Sequence, residues 1–283
     1  MHMRRRSKST TKAAADEAVV GFIQESVRKH RLANLKAEAS QHKFCISMTA
    51  YLAGCIALNQ VLLLAWPVAG AVATVAALVG FAVLAMRSRR ARPVAIAASV
   101  LPAATMSSLA LPQGTVLAQA GVLYGVVQFL TVAYLLTMPE AKTKQARMPW
   151  GTIFRWLPLA VAGGAGVGAL GYAMLHTQLS LGPVSMPVAA AALACFAVVE
   201  ELYFRGFLQR LTRKAVGPTL SVALAAIAYT ALTLPFGNVA ITGFAALASV
   251  LISLLYYARP SIALTIAANL AVKLTFIGLL TVN

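Results

Sequence analysis

From Phe44 onward the chain is a succession of nine apolar runs, at about residues 44–66, 67–86, 94–111, 115–137, 152–175, 186–209, 218–235, 238–257 and 260–281. Crossing the hydrocarbon core of a bilayer takes about 20 helical residues. In lipid every backbone N–H and C=O must find a partner within the protein, and a helix supplies one for each. The runs therefore predict an all-α fold, a polytopic helical membrane protein with about 8–9 transmembrane helices. Composition agrees. Only 11% of the residues are charged, against about 25% in a soluble domain.

The formal net charge of +17 would point to nucleic acid in a soluble protein. Here the positions of the charges exclude that partner. With the basic N-terminus in the cytoplasm, the inside loops read RSRRAR (87–92), EAKTKQAR (140–147), QRLTRK (209–214) and the Arg259 turn. The outside loops, among them PQGT, HTQLSLGPVSM and PFGN, contain no Lys or Arg. This is the positive-inside pattern. It predicts an integral membrane protein with a cytoplasmic N-terminus and points to a bacterial inner (plasma) membrane.

Residues 1–43 form a basic cytoplasmic segment ahead of a helical membrane domain, 44–283. No apolar h-region closely follows the opening MHMRRRSKSTTK, so the segment does not read as a signal peptide. Residues 13–42 carry a weak apolar stripe, which fits either a helix on the anionic leaflet or a solvated tail. The three cysteines, Cys45, Cys55 and Cys195, show no metal-type pairing and read as small buried residues. The stretch GVGALG (166–171) matches a dinucleotide fingerprint but sits inside an apolar run with no preceding strand. Its small residues at four-residue spacing, such as Gly164 and Gly168, read as a surface for close helix packing in lipid.

Against this apolar background, VVEELYFRG (198–206) places Glu200, Glu201 and Arg205 inside the sixth run. A charge at the centre of a membrane helix costs about 2.5–3.5 kcal/mol on insertion scales, so such residues face the bundle interior and take partners. Arg205 lies one helical turn beyond Glu201 on the same face and can pair with it. Glu200 points about 100° away and is free to face something else. Lys273 is a further intramembrane charge and a plausible partner for Glu200. Counted from the cytoplasmic ends of their runs, Glu200 and Asn269 lie roughly 15 Å deep, and Thr233 and Lys273 roughly 20–23 Å. All four therefore fall near the bilayer middle. The spans hold no histidine, so neither a metal nor another cofactor is expected.

EELYFRG resembles the EExxxR signature of the CPBP family (CAAX proteases and bacteriocin-processing enzymes, also called Abi), intramembrane glutamic endopeptidases and their relatives. The basic loop and Gly-Pro helix start that follow, and LLYYARPSIALTIAANLAVKL near the C-terminus, extend the resemblance over about residues 188–275. The resemblance implies that Glu200 is the catalytic carboxylate, base and then acid, acting on water with a histidine. It also implies that Glu201 and Arg205 support it. The family's two motif histidines fall at Thr233 and Asn269 here, and Lys273 takes the place of a motif Asn. Glu200 would thus act with Thr233, Asn269 and Lys273 in supporting roles.

Three readings of function stay open. The first is a catalytically degenerate CPBP-type protein that binds a membrane-embedded or lipid-modified peptide or protein. The second is an active intramembrane endopeptidase that uses a Glu-centred site with Asn and Lys substitutions. The third is a small proton-coupled transporter built on the same charges.

Overall fold

The computed structural model describes residues 39–63, 65–89, 91–109, 116–137, 148–176, 185–234 and 239–282. These residues are helical throughout apart from short connections. Residues 13–42, read from sequence as either a helix on the leaflet or a solvated tail, lie almost wholly outside them. In chain order the helices are α1 (Ala39–Leu63), α2 (Pro67–Arg87), α3 (Arg92–Leu109), α4 (Val116–Thr137), α5 (Trp150–Leu175) and α6 (Met186–Glu201). A π-helical segment (Leu202–Gln209) continues α6 into α7 (Arg210–Val216), followed by α8 (Pro218–Thr233), α9 (Val239–Ala258) and α10 (Ile262–Val282).

Every predicted run coincides with a helix. Among the described residues, seven helices are long and apolar enough to cross a membrane, with α6, the π segment and α7 counted as one 31-residue span. The other two runs are α3, which falls outside that set, and α8, which at 16 residues reaches about 24 Å. The first span starts earlier than the sequence indicated. His42 and Lys43 sit in the opening turns of α1, exposed, whereas the sequence reading kept every histidine out of the spans.

Two compact units divide the chain, Met1–Ser47 and Met48–Asn283. Of the first, only residues 39–47, the opening turns of α1, are described. The second holds the site. Its polarity is inverted relative to a soluble domain. Val68, Val72, Val75 and Val79 line one exposed side of α2, while Glu200, Glu201, Arg205 and Gln209 are buried. An outward apolar surface of this kind suits lipid.

With no hydrophobic drive between helices in lipid, close backbone approach and side-chain hydrogen bonds hold them together. Thr74 of α2 donates to Asn59 of α1 at 2.5 Å, and Gln60 of α1 donates to Thr105 of α3 at 3.0 Å. Tyr203 of the π segment donates to the Ala97 carbonyl of α3 at 2.8 Å. Gly217 turns the chain between α7 and α8 with φ +95°, a conformation that favours glycine. Pro218 then opens α8, where its missing N–H has no role to play.

Along α5, Gly164 and Gly168 do what the sequence assigned to the small-residue stripe. A Cβ on Gly164 would run into the Ala268 carbonyl oxygen of α10, and one on Gly168 into the Val272 carbonyl oxygen. Gly163 and Gly166 have open space instead. The cysteine expectation needs correcting. Cys45 is buried, but Cys55 is only partly covered and Cys195 is exposed, and all three are free thiols. Cys195 lies on a side of α6 left uncovered among the described residues, where a small soft side chain is at home in lipid.

The two glycine faces separate packing from propensity. Gly164→Ala or Gly168→Ala should destabilise the protein by about 1–3 kcal/mol through overpacking. Gly163→Ala and Gly166→Ala should be neutral or stabilising by up to about 1 kcal/mol. Thermal unfolding of the four variants in one detergent checks the contrast.

Candidate functional site

The motif that opens the sixth span's charged stretch lies at a change of helix type. α6 ends at Glu201 and the next eight residues wind as a π-helix. In an α-helix each four-residue step drifts about 40° round the axis. The wider π turn takes up that drift, and such turns are frequent at functional sites. Glu201, Arg205 and Gln209 are spaced by four residues. Arg205 and Gln209 both face α9. Arg205 Nη2 donates to the Ser249 carbonyl at 3.0 Å and to its hydroxyl at 3.2 Å. Gln209 Nε2 donates to the Ser253 carbonyl at 3.1 Å.

The expected Glu201–Arg205 pair forms, with Arg205 Nη1 3.2 Å from Glu201 Oε1 and both side chains fully buried. The guanidinium also lies over the rings of Phe204, at 5.8 Å, and Tyr229, at 5.5 Å. Aromatic faces are favourable neighbours for a cation withdrawn from water.

Glu200 turns away from this pair, as its position on the helix requires, and takes a set of its own. Tyr124 of α4 donates to its Oε1 at 2.6 Å. Lys273 of α10 reaches the same oxygen at 3.0 Å, the lysine side chain being 16% exposed and the glutamate 1%. Oε2 receives the Asn269 amide at 2.8 Å and the Tyr229 hydroxyl of α8 at 3.2 Å. A carboxylate has about four lone-pair positions, and these four donors fill them.

Asn269 ties the two glutamates together. Its Nδ2 donates to Glu200 Oε2 and, at 2.9 Å, to Glu201 Oε1. A primary amide nitrogen has two hydrogens, one for each carboxylate. The site thus joins α4, α6, α8 and α10. Two carboxylates face one guanidinium and one ammonium, so with all four ionised the charges of the cluster balance.

Of the residues expected from sequence, Glu200, Glu201, Arg205, Asn269 and Lys273 come together. Thr233 does not join them. Its hydroxyl donates to the Thr230 carbonyl at 2.8 Å, a local bond that a helix-terminal threonine makes readily. Two tyrosines take part that sequence reasoning did not assign to Glu200. Tyr229 lies four residues before Thr233 in α8, and the phenol of a half-apolar residue carried no signal of its partner. Tyr124 lies in α4, distant in sequence from the charged motif, and stacks on Phe196 with ring centroids 4.5 Å apart. Among the described residues, no three His, Cys, Asp or Glu side chains gather to hold a metal ion.

Fold and site define a helical membrane protein with a neutralised two-glutamate centre inside its spans. Residues 182–275 match the family model described as Type II CAAX prenyl endopeptidase Rce1-like, and this third of the chain is an Rce1-like domain of the CPBP/CAAX protease family. Every site residue except Tyr124 falls within the match. No curated protein and no solved structure matches the chain.

The geometry makes Glu200 and Lys273 interdependent. Lys273→Leu should destabilise the protein by about 3–5 kcal/mol, because it leaves a buried carboxylate without its counter-charge. Adding Glu200→Gln should recover more than about 1 kcal/mol of that loss, and purely additive losses would show that the two do not pair. Tyr124→Phe should cost about 1.5–3 kcal/mol, the range for a hydrogen bond to a charged group. Unfolding in detergent measures all three.

Proposed function

We propose that this CAAX-protease-like membrane protein binds a lipid-modified or membrane-embedded peptide through its Rce1-like domain and does not cleave it. The observation that carries the reading is the full occupation of Glu200. A carboxylate that activates water needs a lone pair for that water. At Glu200 the four positions are taken by Tyr124, Lys273, Asn269 and Tyr229.

A second consideration points the same way. Peptide hydrolysis also needs a proton relay and a donor for the oxyanion. The resemblance places Thr233 and Asn269 where two histidines would stand. Thr233 cannot relay a proton as an imidazole does, and Asn269 already uses both amide hydrogens on the carboxylates. Glu200 and Glu201 then serve as the anchors that hold α4, α6, α8 and α10 in position.

The ligand class comes from the matched family, whose description names a prenyl endopeptidase. For the orientation, we place the end of the molecule bearing Arg87, Arg92, Arg213, Lys214 and Arg259 toward the cytoplasm, on the strength of the positive-inside pattern.

A photoreactive prenylated peptide incubated with the protein in liposomes tests the reading. It should crosslink within residues 182–275, at least about tenfold more than its unprenylated counterpart, since burying the prenyl methylenes contributes about 0.8 kcal/mol each. No cleaved product should accumulate. Cleavage by the wild type that Glu200→Gln abolishes would overturn the proposal and establish an active endopeptidase.

A further inference from the structure

An apolar groove of about 410 Å³ lies on the side of α10 away from the carboxylates, between α5 and α9. Gly163 of α5 and Leu251 and Leu255 of α9 are among its walls, and Ala268 of α10 forms part of its floor. At one end stand Trp156 and Arg259. From Trp156 to Val167, the stretch of α5 that lines it, the groove is about 16 Å long at 1.5 Å per residue. That is about half of a 30 Å hydrocarbon core, the depth of a single leaflet.

Arg259 is the charged member of this lining. Its guanidinium lies flat over the Trp156 ring, 4.3 Å from the centroid. Its Nε is buried and has no acceptor. Among the described residues no carboxylate pairs with it. Arg155, next to Trp156, is exposed at the same end. Trp150 and Phe154, 71% and 64% exposed, mark this end as the level of the headgroups, where aromatic residues gather. A leaflet-deep apolar slot with an unpaired cation at its mouth has the chemistry of an acyl chain carrying an anionic head.

We propose that this groove is a binding site for one anionic phospholipid, with an acyl chain between α5 and α9 and the phosphate on Arg259. A lipid-modified peptide would offer similar chemistry, but the groove is turned away from the glutamate centre. Ala268 and Val272 line it, while Asn269 and Lys273, about 100° further round the same helix, hold Glu200. A peptide with its lipid in this groove would have α10 between its backbone and the carboxylates. The bound lipid instead braces the α5–α10 contact at Gly164 and Ala268 from the membrane side.

Native mass spectrometry of the full-length protein, delipidated and titrated with phosphatidylglycerol or phosphatidylcholine of identical chains, tests the site. One phosphatidylglycerol should bind about fivefold more tightly than phosphatidylcholine, the effect of one basic residue at a membrane surface. Arg259→Gln should erase that preference and Arg259→Lys should keep it. Gly163→Leu, which projects into open space in the groove, should weaken both lipids. Equal binding of the two lipids to the wild type overturns the proposal without any variant. So does a preference that survives Arg259→Gln, or undiminished binding of both lipids to Gly163→Leu. Displacement of phosphatidylglycerol by a short prenylated peptide would assign the groove to that peptide instead.

Discussion

A carboxylate inside a bilayer must be matched by donors on the protein, because lipid supplies none. This chain places two of them side by side, Glu200 and Glu201, and both are within 1% of complete burial. The arrangement around them follows from that demand. Glu201 takes Arg205 from its own helix. Glu200 draws a tyrosine from α4, another from α8, and an amide and an ammonium from α10. Asn269 is the joint, since the same nitrogen serves both carboxylates. Even the glycine stripe of α5 belongs to this scheme. By admitting the backbone of α10 at Ala268 and Val272, it sets the helix that carries Asn269 and Lys273.

The Rce1-like domain of residues 182–275 places the protein among membrane-embedded CAAX-protease-like proteins, and the geometry of its centre bears on how such a domain can be used. Glu200 is held by four donors from three other helices. On the proposed reading, the same carboxylate that would activate water in a hydrolase has become a clasp between helices, and the ligand-binding role survives without the reaction. The tyrosines matter to that reading as much as the charges. They occupy lone pairs that a water molecule would need, and Tyr229 also lays its ring beneath the Arg205 guanidinium.

The fold was readable in the sequence because lipid leaves the backbone so few options. Runs of about 20 apolar residues have to be helices, and each run is one. The charged centre was readable for a related reason. Charges are scarce in the spans, so Glu200, Glu201, Arg205 and Lys273 could be matched by spacing and depth, and the Glu201–Arg205 and Glu200–Lys273 pairs form accordingly. Other features left no such trace. Tyrosine is common in membrane helices, and nothing local marks Tyr124 as a partner 76 residues from Glu200. Thr233 lay at the right depth, but depth does not determine the direction of a hydroxyl, which turned to its own helix. The π winding of Leu202–Gln209, whose Tyr203, Phe204 and Phe207 are buried, is not encoded in apolar periodicity. The start of α1 was misplaced because His42 and Lys43 look like the edge of a solvent-exposed segment, yet a helix can begin in the headgroup layer before it enters the hydrocarbon.

The neutrality of the four-charge cluster has an electrical consequence. Moving one elementary charge across a membrane potential of 100 mV changes its energy by about 2.3 kcal/mol. A group with two positive and two negative charges feels no net force in that field, and only the small dipoles of its pairs respond. With all four groups ionised, such a centre carries no net charge for a membrane voltage to move. Balanced pairing of this kind lets helices carry charge deep in a bilayer without adding gating charge.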